Sequence, residues 1–224
     1  MPYRDEPFFT YKIYHVFNKT IDKREIFTEQ LLGKQFLDQL CYYRSDRATL
    51  SYSKYRKLPE HLYKSKEAEI QVKLSYRATL LAFCLMPNHF HLLLRQEKDG
   101  GIQEMLSNTV NAFTRYFNLL HERKGPIFLP RWKAVRVRTE EQLLHVSRYI
   151  HLNPTSSGLV STFDSLLTYP FTSLREYIDS SAEARCYTKE ILSLFSGSRS
   201  LYGEFVKGNI VYQRRLAKIK KQTR

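Results

Sequence analysis

Residues 78–95 read ATLLAFCLMPNHFHLLLR, and their pattern is the strongest indication of the fold class. It consists of two apolar runs on either side of the turn signal MPN. Two apolar runs joined by a short Pro-Asn turn predict a β-hairpin close to the core. Because successive side chains of a strand point to opposite faces, His89 and His91 are expected to lie on the same face.

The segments around the hairpin have strand and helix patterns in turn. Residues 10–17 (TYKIYHVF) are rich in aromatic and β-branched side chains, which predicts a strand. Residues 26–43 and 102–120 have apolar side chains at helical spacing, with a chain break at Gly100-Gly101 before the second helix. Residues 134–138 (AVRVR) alternate as a strand. Together these patterns predict an α+β fold with a central antiparallel sheet covered by helices.

A further helix is predicted after Thr139. Thr139 and Gln142 have the spacing of a capping box, which favours a helix start at this point. Its predicted end lies near His151, because Pro154 disfavours helical geometry at the residue before it. Beyond Gly158 the chain has several short helical patterns.

His145, Tyr149 and Asn153 recur every four residues, so they share one face of this helix. A tyrosine on such a face is often a surface residue, and an asparagine before proline is often a helix terminator. The histidine pair has a similar alternative. Two imidazoles on one strand face can bind a metal ion, or they can be half-buried histidines hydrogen-bonded near a turn.

The charge of the chain indicates a polyanionic partner. Its 224 residues include 36 Lys and Arg against 22 Asp and Glu, a formal charge of +14. Such an excess favours nucleic acid over a merely solvated basic surface, since neutralised phosphates release counterions. The three cysteines are scattered without metal or redox spacing, which suits a reducing cytoplasm. We expect no membrane segment, because the longest apolar stretch is too short to span a bilayer.

Two regions depart from a minimal domain. Residues 44–66 are basic and tyrosine-rich and are interpreted as an insertion or helical excursion. Four tyrosines in or directly before residues 44–66 could stack unpaired bases or simply pack against one another. They are Tyr42, Tyr43, Tyr52 and Tyr55. Residues 161–224 are expected to form a helical extension with a basic tail after a catalytic domain over residues 1–160.

Three motifs together resemble a known family. MPNHFHLLL, FLPRWKA and RYIHLNPTSSGLV, in that order, are similar to the REP-associated tyrosine transposases, relatives of the IS200-like single-tyrosine HUH transposases. The segment YHVFNK (residues 14–19) matches as well, so the resemblance extends from about residue 10 to 175. It implies a ferredoxin-like sheet and a transposase that cleaves and rejoins single-stranded DNA through a 5′-phosphotyrosine intermediate.

The resemblance also implies roles for individual residues. His89 and His91 match the family's metal ligands, Tyr149 its nucleophile, and Asn153 the polar side chain that completes or orders the metal site. The metal would be Mg²⁺ or Mn²⁺. Tyr116, in RYFN, is a rival nucleophile, but Leu120 occupies the position four residues later, where a polar ligand would be needed.

The implied partner is single-stranded or hairpin DNA. Four basic residues directly before the Tyr149 helix could guide a DNA backbone towards it: Arg131, Lys133, Arg136 and Arg138. Arg115 is a further candidate DNA contact. One tyrosine per chain leaves open sequential use of a single subunit or a homodimer. Two other functions are compatible with parts of the pattern: a non-catalytic hairpin-binding regulator, and a small phosphohydrolase of the HIT type. The phosphohydrolase would need a third histidine where the chain has Leu93.

Overall fold

Four strands form one antiparallel sheet in the order β2-β3-β1-β4. They are β1 (Ile13–Lys19), β2 (Ala78–Met86), β3 (His89–Gln96) and β4 (Lys133–Val137). In this computed structural model, which describes residues 7–212, β2 and β3 form the predicted hairpin, with Met86 paired to His89. Strand β3 lies between β1 and β2, as in ferredoxin-like folds. The predicted α+β class with a ferredoxin-like sheet is confirmed.

Two long helices cover one face of the sheet. They are α1 (Gln30–Tyr43) and α4 (Gly101–Leu120), which bury a core of aromatic and aliphatic side chains that includes Phe36, Phe90 and Phe113. The predicted break before α4 has a steric cause. Gly100 has a positive φ of 65°, and a Cβ on Gly101 would clash with the carbonyl oxygen of Arg77.

The predicted insertion forms two helices, α2 (Tyr52–Tyr55) and α3 (Glu60–Ile70). Its tyrosines are buried in a small core of their own, in which the rings of Tyr42 and Tyr55 stack with centroids 4.6 Å apart. Tyr42, Tyr43, Tyr52 and Tyr55 are each between 4% and 7% exposed. Rings that are buried against one another to this degree favour the packing alternative over the stacking of unpaired bases.

Helix α5 (Glu140–Ser157) begins as the capping pattern predicts. The hydroxyl of Thr139 accepts a hydrogen bond from the Gln142 amide at 3.1 Å. The Gln142 side chain accepts from the amide of Arg138 instead of completing the reciprocal bond to Thr139. The first bond satisfies a donor that a helix start leaves without an intrahelical partner, and the second satisfies the amide of the residue before the cap.

The C-terminal extension packs with α5 on the second face of the sheet. It contains α6 (Phe163–Leu167), α7 (Leu174–Ile178), α8 (Lys189–Leu192) and α9 (Arg199–Lys207). These helices and α5 enclose a second core with Leu81, Ala82 and Leu93. The imidazole of the fully buried His151 is hydrogen-bonded to the hydroxyls of Tyr202 and Ser173, both at 2.8 Å. The helical extension is confirmed, while the domain boundary at residue 160 stays a prediction.

The extension also covers the outer edge of β2. The Leu85 amide donates to the Phe171 carbonyl at 2.8 Å, and the Ser173 amide donates to the Phe83 carbonyl at 3.0 Å. These bonds satisfy backbone groups that an open edge strand would expose. Of the predicted basic tail, six residues lie outside the described range: Arg214, Arg215, Lys218, Lys220, Lys221 and Arg224. Among residues 7–212, no helix has both the length and the apolar character that a membrane crossing needs.

Candidate active site

One face of the sheet brings together histidines from β1 and β3. Phe17 is paired with His91 and Lys19 with His89, so these four side chains point to the same face. His15, two residues before Phe17, points to that face as well. We call it the histidine face. Helix α5 packs against β2 and β3 on this side of the sheet.

In each of the two β3 histidines, the Nδ1 atom takes part in a hydrogen bond. Nδ1 of His89 lies 2.7 Å from Oδ1 of Asn88, and because an amide oxygen only accepts, His89 donates through Nδ1. Nδ1 of His91 lies 2.9 Å from Nε2 of His15. With His91 as the donor of that bond, both β3 histidines keep an unprotonated Nε2 atom. Partners of this kind orient metal-binding imidazoles in proteins.

Burial keeps all three imidazoles uncharged at neutral pH. It lowers the pKa of His15 to about 4 and that of His89 to about 4, with Lys19 adding a smaller repulsive effect on His89. The pKa of His91 is lowered to about 2, first by burial and then by the neighbouring His15, His89 and Lys19. A neutral imidazole is the form that binds a metal ion.

Tyr149 reaches the histidine face from α5. Its ring stands edge-on to His91, with centroids 5.5 Å apart, and edge-on to His15 at 5.8 Å. The side chain is 41% exposed, so its hydroxyl can meet a ligand from solvent. Burial raises the pKa of the phenol, whereas a hydrogen bond with the Asn153 side chain opposes that shift.

Helix α5 continues past the point where its end is predicted, so the predicted end near His151 is wrong. Pro154 lies inside the helix, which extends to Ser157 and ends at Gly158, where φ is 79°. Pro154 has no N–H for the carbonyl of Ile150, but Nδ2 of Asn153 donates to the carbonyl of Tyr149 at 2.9 Å and lies 3.5 Å from that of Ile150. The asparagine side chain thereby supplies a donor where the proline removes one.

The chemistry of the side chains on the histidine face and of Asn153 on α5 suits a divalent metal ion. Two Nε2 atoms and the Asn153 oxygen are the available donors, because the amide nitrogen of Asn153 is engaged by the backbone. Within residues 7–212, no group of three or more His, Cys, Asp and Glu side chains is arranged to hold a metal. Nε2 of His15 is engaged by His91. A site of two imidazoles and one amide would leave coordination positions for phosphate oxygens.

Comparison with known families and structures agrees with this arrangement. The family model described as "Transposase IS200 like" matches residues 9–153, which includes all four strands and both β3 histidines. The chain belongs to the IS200-like transposase family. The resemblance to this family is confirmed.

A solved structure shares the fold of this chain. It is that of a REP-associated tyrosine transposase bound to a REP hairpin, with a TM-score of 0.54 and 13% sequence identity. The match covers 85% of this chain and 93% of that chain. Comparison with curated proteins finds no match.

The predicted DNA contacts around β4 divide between the two faces of the sheet. Lys133 is paired with Phe17, so its side chain is on the histidine face. Arg136 is paired with Tyr14 and points to the other face, where its guanidinium lies 5.3 Å from the ring centroid of Phe9. Arg131 and Arg138 are exposed just beyond the two ends of β4. The DNA contacts of these residues stay predictions.

Arg115 and Tyr116 lie away from the histidine face. Both are on α4, which covers the opposite face of the sheet, and Tyr116 packs partly against the core there. The sheet therefore separates Tyr116 from His89 and His91. This placement favours Tyr149 over Tyr116 as the nucleophile.

Two residues of the histidine face, His15 and Lys19, were not predicted from the sequence. Both lie in or directly after the segment predicted as the first strand, and each is two residues away from Phe17. Alternation along residues 10–19 could have placed them on one face. Alternation does not predict, however, which strand pairs with this one or in which register.

Proposed function

We propose that this transposase is a metal-dependent single-strand DNA endonuclease and strand transferase that acts beside a DNA hairpin. Family membership gives the coarser statement, a transposase-like role in DNA processing. The finer proposal is supported by one observation above all: the Tyr149 ring stands edge-on to His15 and His91, on the face where His89 also lies.

In this proposal Tyr149 is the nucleophile, and His89, His91 and Asn153 hold Mg²⁺ or Mn²⁺. When bound, the ion would supply Lewis-acid polarisation of the scissile phosphate. The chain itself contributes two uncharged imidazoles whose orientation is set by Asn88 and His15. Such fixed partners reduce the reorganisation that ligand binding requires.

The reaction balances as a transesterification. The phenolic oxygen of Tyr149 forms a bond to phosphorus, and the bond between phosphorus and the 3′-oxygen breaks. The phenolic proton passes to water, and the departing 3′-oxygen takes up a proton from water. The products are a 5′-phosphotyrosine ester and a free 3′-hydroxyl. A second 3′-hydroxyl can then reverse the step and join two strands without an external energy source.

Two lysines on the histidine face are suited to hold the DNA backbone. Lys19 and Lys133 are both exposed and project from neighbouring strands beside the histidines. Contacts from such cations to phosphates position a strand without reading its sequence. Joining two DNA ends needs two attacks in succession or two copies of Tyr149, so a homodimer is part of the proposal.

A covalent-trapping experiment tests this function. Wild-type protein is incubated with Mn²⁺ and a hairpin-flanked single-stranded oligonucleotide, and the adduct is detected after denaturing electrophoresis. We expect an adduct with the wild type and with Tyr116→Phe, but none with Tyr149→Phe. His89→Ala should prevent cleavage while hairpin binding is largely retained.

The opposite results identify a different mechanism. An adduct with Tyr149→Phe that is lost in Tyr116→Phe would make Tyr116 the nucleophile. Hairpin binding by the wild type without any adduct, in the presence of Mn²⁺ or Mg²⁺, would indicate a non-catalytic hairpin-binding regulator. Loss of binding and cleavage to the same degree in His89→Ala would indicate a structural histidine.

A further inference from the structure

A large cavity lies on the face of the sheet opposite Tyr149. Its volume is about 680 Å³, within the range of small-molecule sites. Helices α1 and α4 form two of its walls, and residues 48–57, which include α2, form the third. Tyr43 and Tyr52, at the edge of the tyrosine core, line the cavity as well.

Two helices contribute matching stripes of amide side chains. Gln35 and Gln39 are one turn apart on α1, and Asn108 and Asn111 are one turn apart on α4; all four line the cavity. Asparagine and glutamine side chains both donate and accept hydrogen bonds in a fixed plane. They can therefore pair with the edge of a nucleic-acid base.

One of these amides has an unsatisfied polar atom. Gln39 is only 2% exposed, and its oxygen Oε1 has no hydrogen-bond partner among the described residues. A buried carbonyl oxygen without a donor is unfavourable. A ligand N–H that reached this side chain from the cavity would remove the penalty.

The charge of the cavity favours an anionic ligand. Three cationic residues line it, Arg56, Lys57 and Arg115, and no acidic residue is among its lining residues. All three cations are exposed, so they can contact a ligand that extends to the solvent. The guanidinium of Arg56 is held in place by the hydroxyl of Tyr63 at 3.0 Å.

Apolar side chains complete the wall beside Arg115. Tyr116 is half-buried, and Leu119, one turn later, is 83% exposed. A tyrosine ring and an exposed leucine next to amides and cations form a surface on which a base can stack while its phosphate is neutralised.

We propose that this cavity binds an unpaired nucleotide of the DNA strand, outside the segment that is cleaved at Tyr149. The inference depends on the proposed function, since DNA must be the substrate. It assigns Arg115 a phosphate contact, Asn108 and Asn111 contacts to the base edge, and residues 48–57 a part in recognition. Because the sheet lies between the cavity and Tyr149, the nucleotide bound here identifies the strand and is not itself cut.

Photocrosslinking locates the bound nucleotide. A hairpin-flanked oligonucleotide carrying 5-iodouracil at successive unpaired positions is irradiated on the full chain, and the attached peptides are identified by mass spectrometry. We expect attachment within residues 43–57 or 108–119 for at least one position. The Tyr149 adduct is measured in the same samples without irradiation.

Two matched variants test the contacts. Arg115→Ala is expected to weaken binding of the oligonucleotide about fivefold. Asn111→Ala should weaken it about tenfold, as for the loss of one base-edge contact. Arg175→Ala removes an exposed arginine from α7, outside the cavity, and should change binding less than twofold.

The results separate the two proposals. Crosslinks confined to other surfaces, or equal weakening by Arg115→Ala and Arg175→Ala, would overturn the cavity assignment even if the Tyr149 adduct forms. Crosslinks in the cavity without any adduct would support the nucleotide site and contradict the proposed cleavage function.

Discussion

His15 offers the sharpest test of how the site is held together. Its Nε2 atom is 2.9 Å from Nδ1 of His91, and the two rings stack with centroids 5.1 Å apart. The substitution His15→Phe keeps a planar ring in this position but removes the hydrogen-bonding nitrogen. His91 is 5% exposed, so water has little access to replace the lost partner.

The size of the effect follows from that unpaired nitrogen. A buried polar group without a partner costs about 2 kcal/mol, which corresponds to roughly thirtyfold in an equilibrium constant. Loss of a partner that orients a metal ligand typically lowers metal affinity by about 10- to 100-fold. We therefore expect His15→Phe to weaken Mn²⁺ binding about thirtyfold, with a parallel loss of adduct formation at subsaturating metal.

Isothermal titration calorimetry with Mn²⁺ measures the affinity directly, and circular dichroism confirms that the variant is folded. His145→Phe is the matched control, because His145 is an exposed histidine one turn before Tyr149 whose contacts are with its α5 neighbours Arg148 and Glu141. His15→Gln, which restores a polar partner, should recover part of the affinity. An unchanged Mn²⁺ affinity in folded His15→Phe would show that His15 does not position His91.

Two further predictions concern Asn153 and Lys19. Asn153→Asp and Asn153→Ala both remove the amide that donates to the Tyr149 carbonyl, so each should lower the free energy of unfolding by about 1 kcal/mol in urea titrations. Only Asn153→Ala should also lose Mn²⁺ affinity, and equal metal affinity in the two variants would contradict the role of the side-chain oxygen. Lys19→Gln should slow adduct formation about fivefold at low salt and less at high salt, because an exposed cation is screened. A salt-independent loss would instead point to a structural change around His89, its strand partner.

The sheet and its main helices were predictable because their signals are local. The hairpin over residues 78–95 follows from two apolar runs around a turn, and the start of α5 follows from the spacing of Thr139 and Gln142. Alternation alone places His89 and His91 on one face. The choice of Tyr149 and Asn153, by contrast, needed the family motifs in addition to helical spacing.

The tertiary structure decided what lies opposite each of these elements. His15 and His91 are 76 residues apart in the chain, and only the register between β1 and β3 brings their rings together. Alternation along β4 separates Lys133 from Arg136, but only the pairing of β4 with β1 places Lys133 on the histidine face. Mutual packing buries tyrosines that composition alone could assign to DNA. Periods and faces could be derived from the sequence, since these depend on neighbouring residues. Strand pairing and burial depend on contacts between residues that are distant in the sequence. The continuation of α5 through Pro154 depends on the hydrogen bond from the Asn153 side chain, which the spacing of apolar residues does not predict.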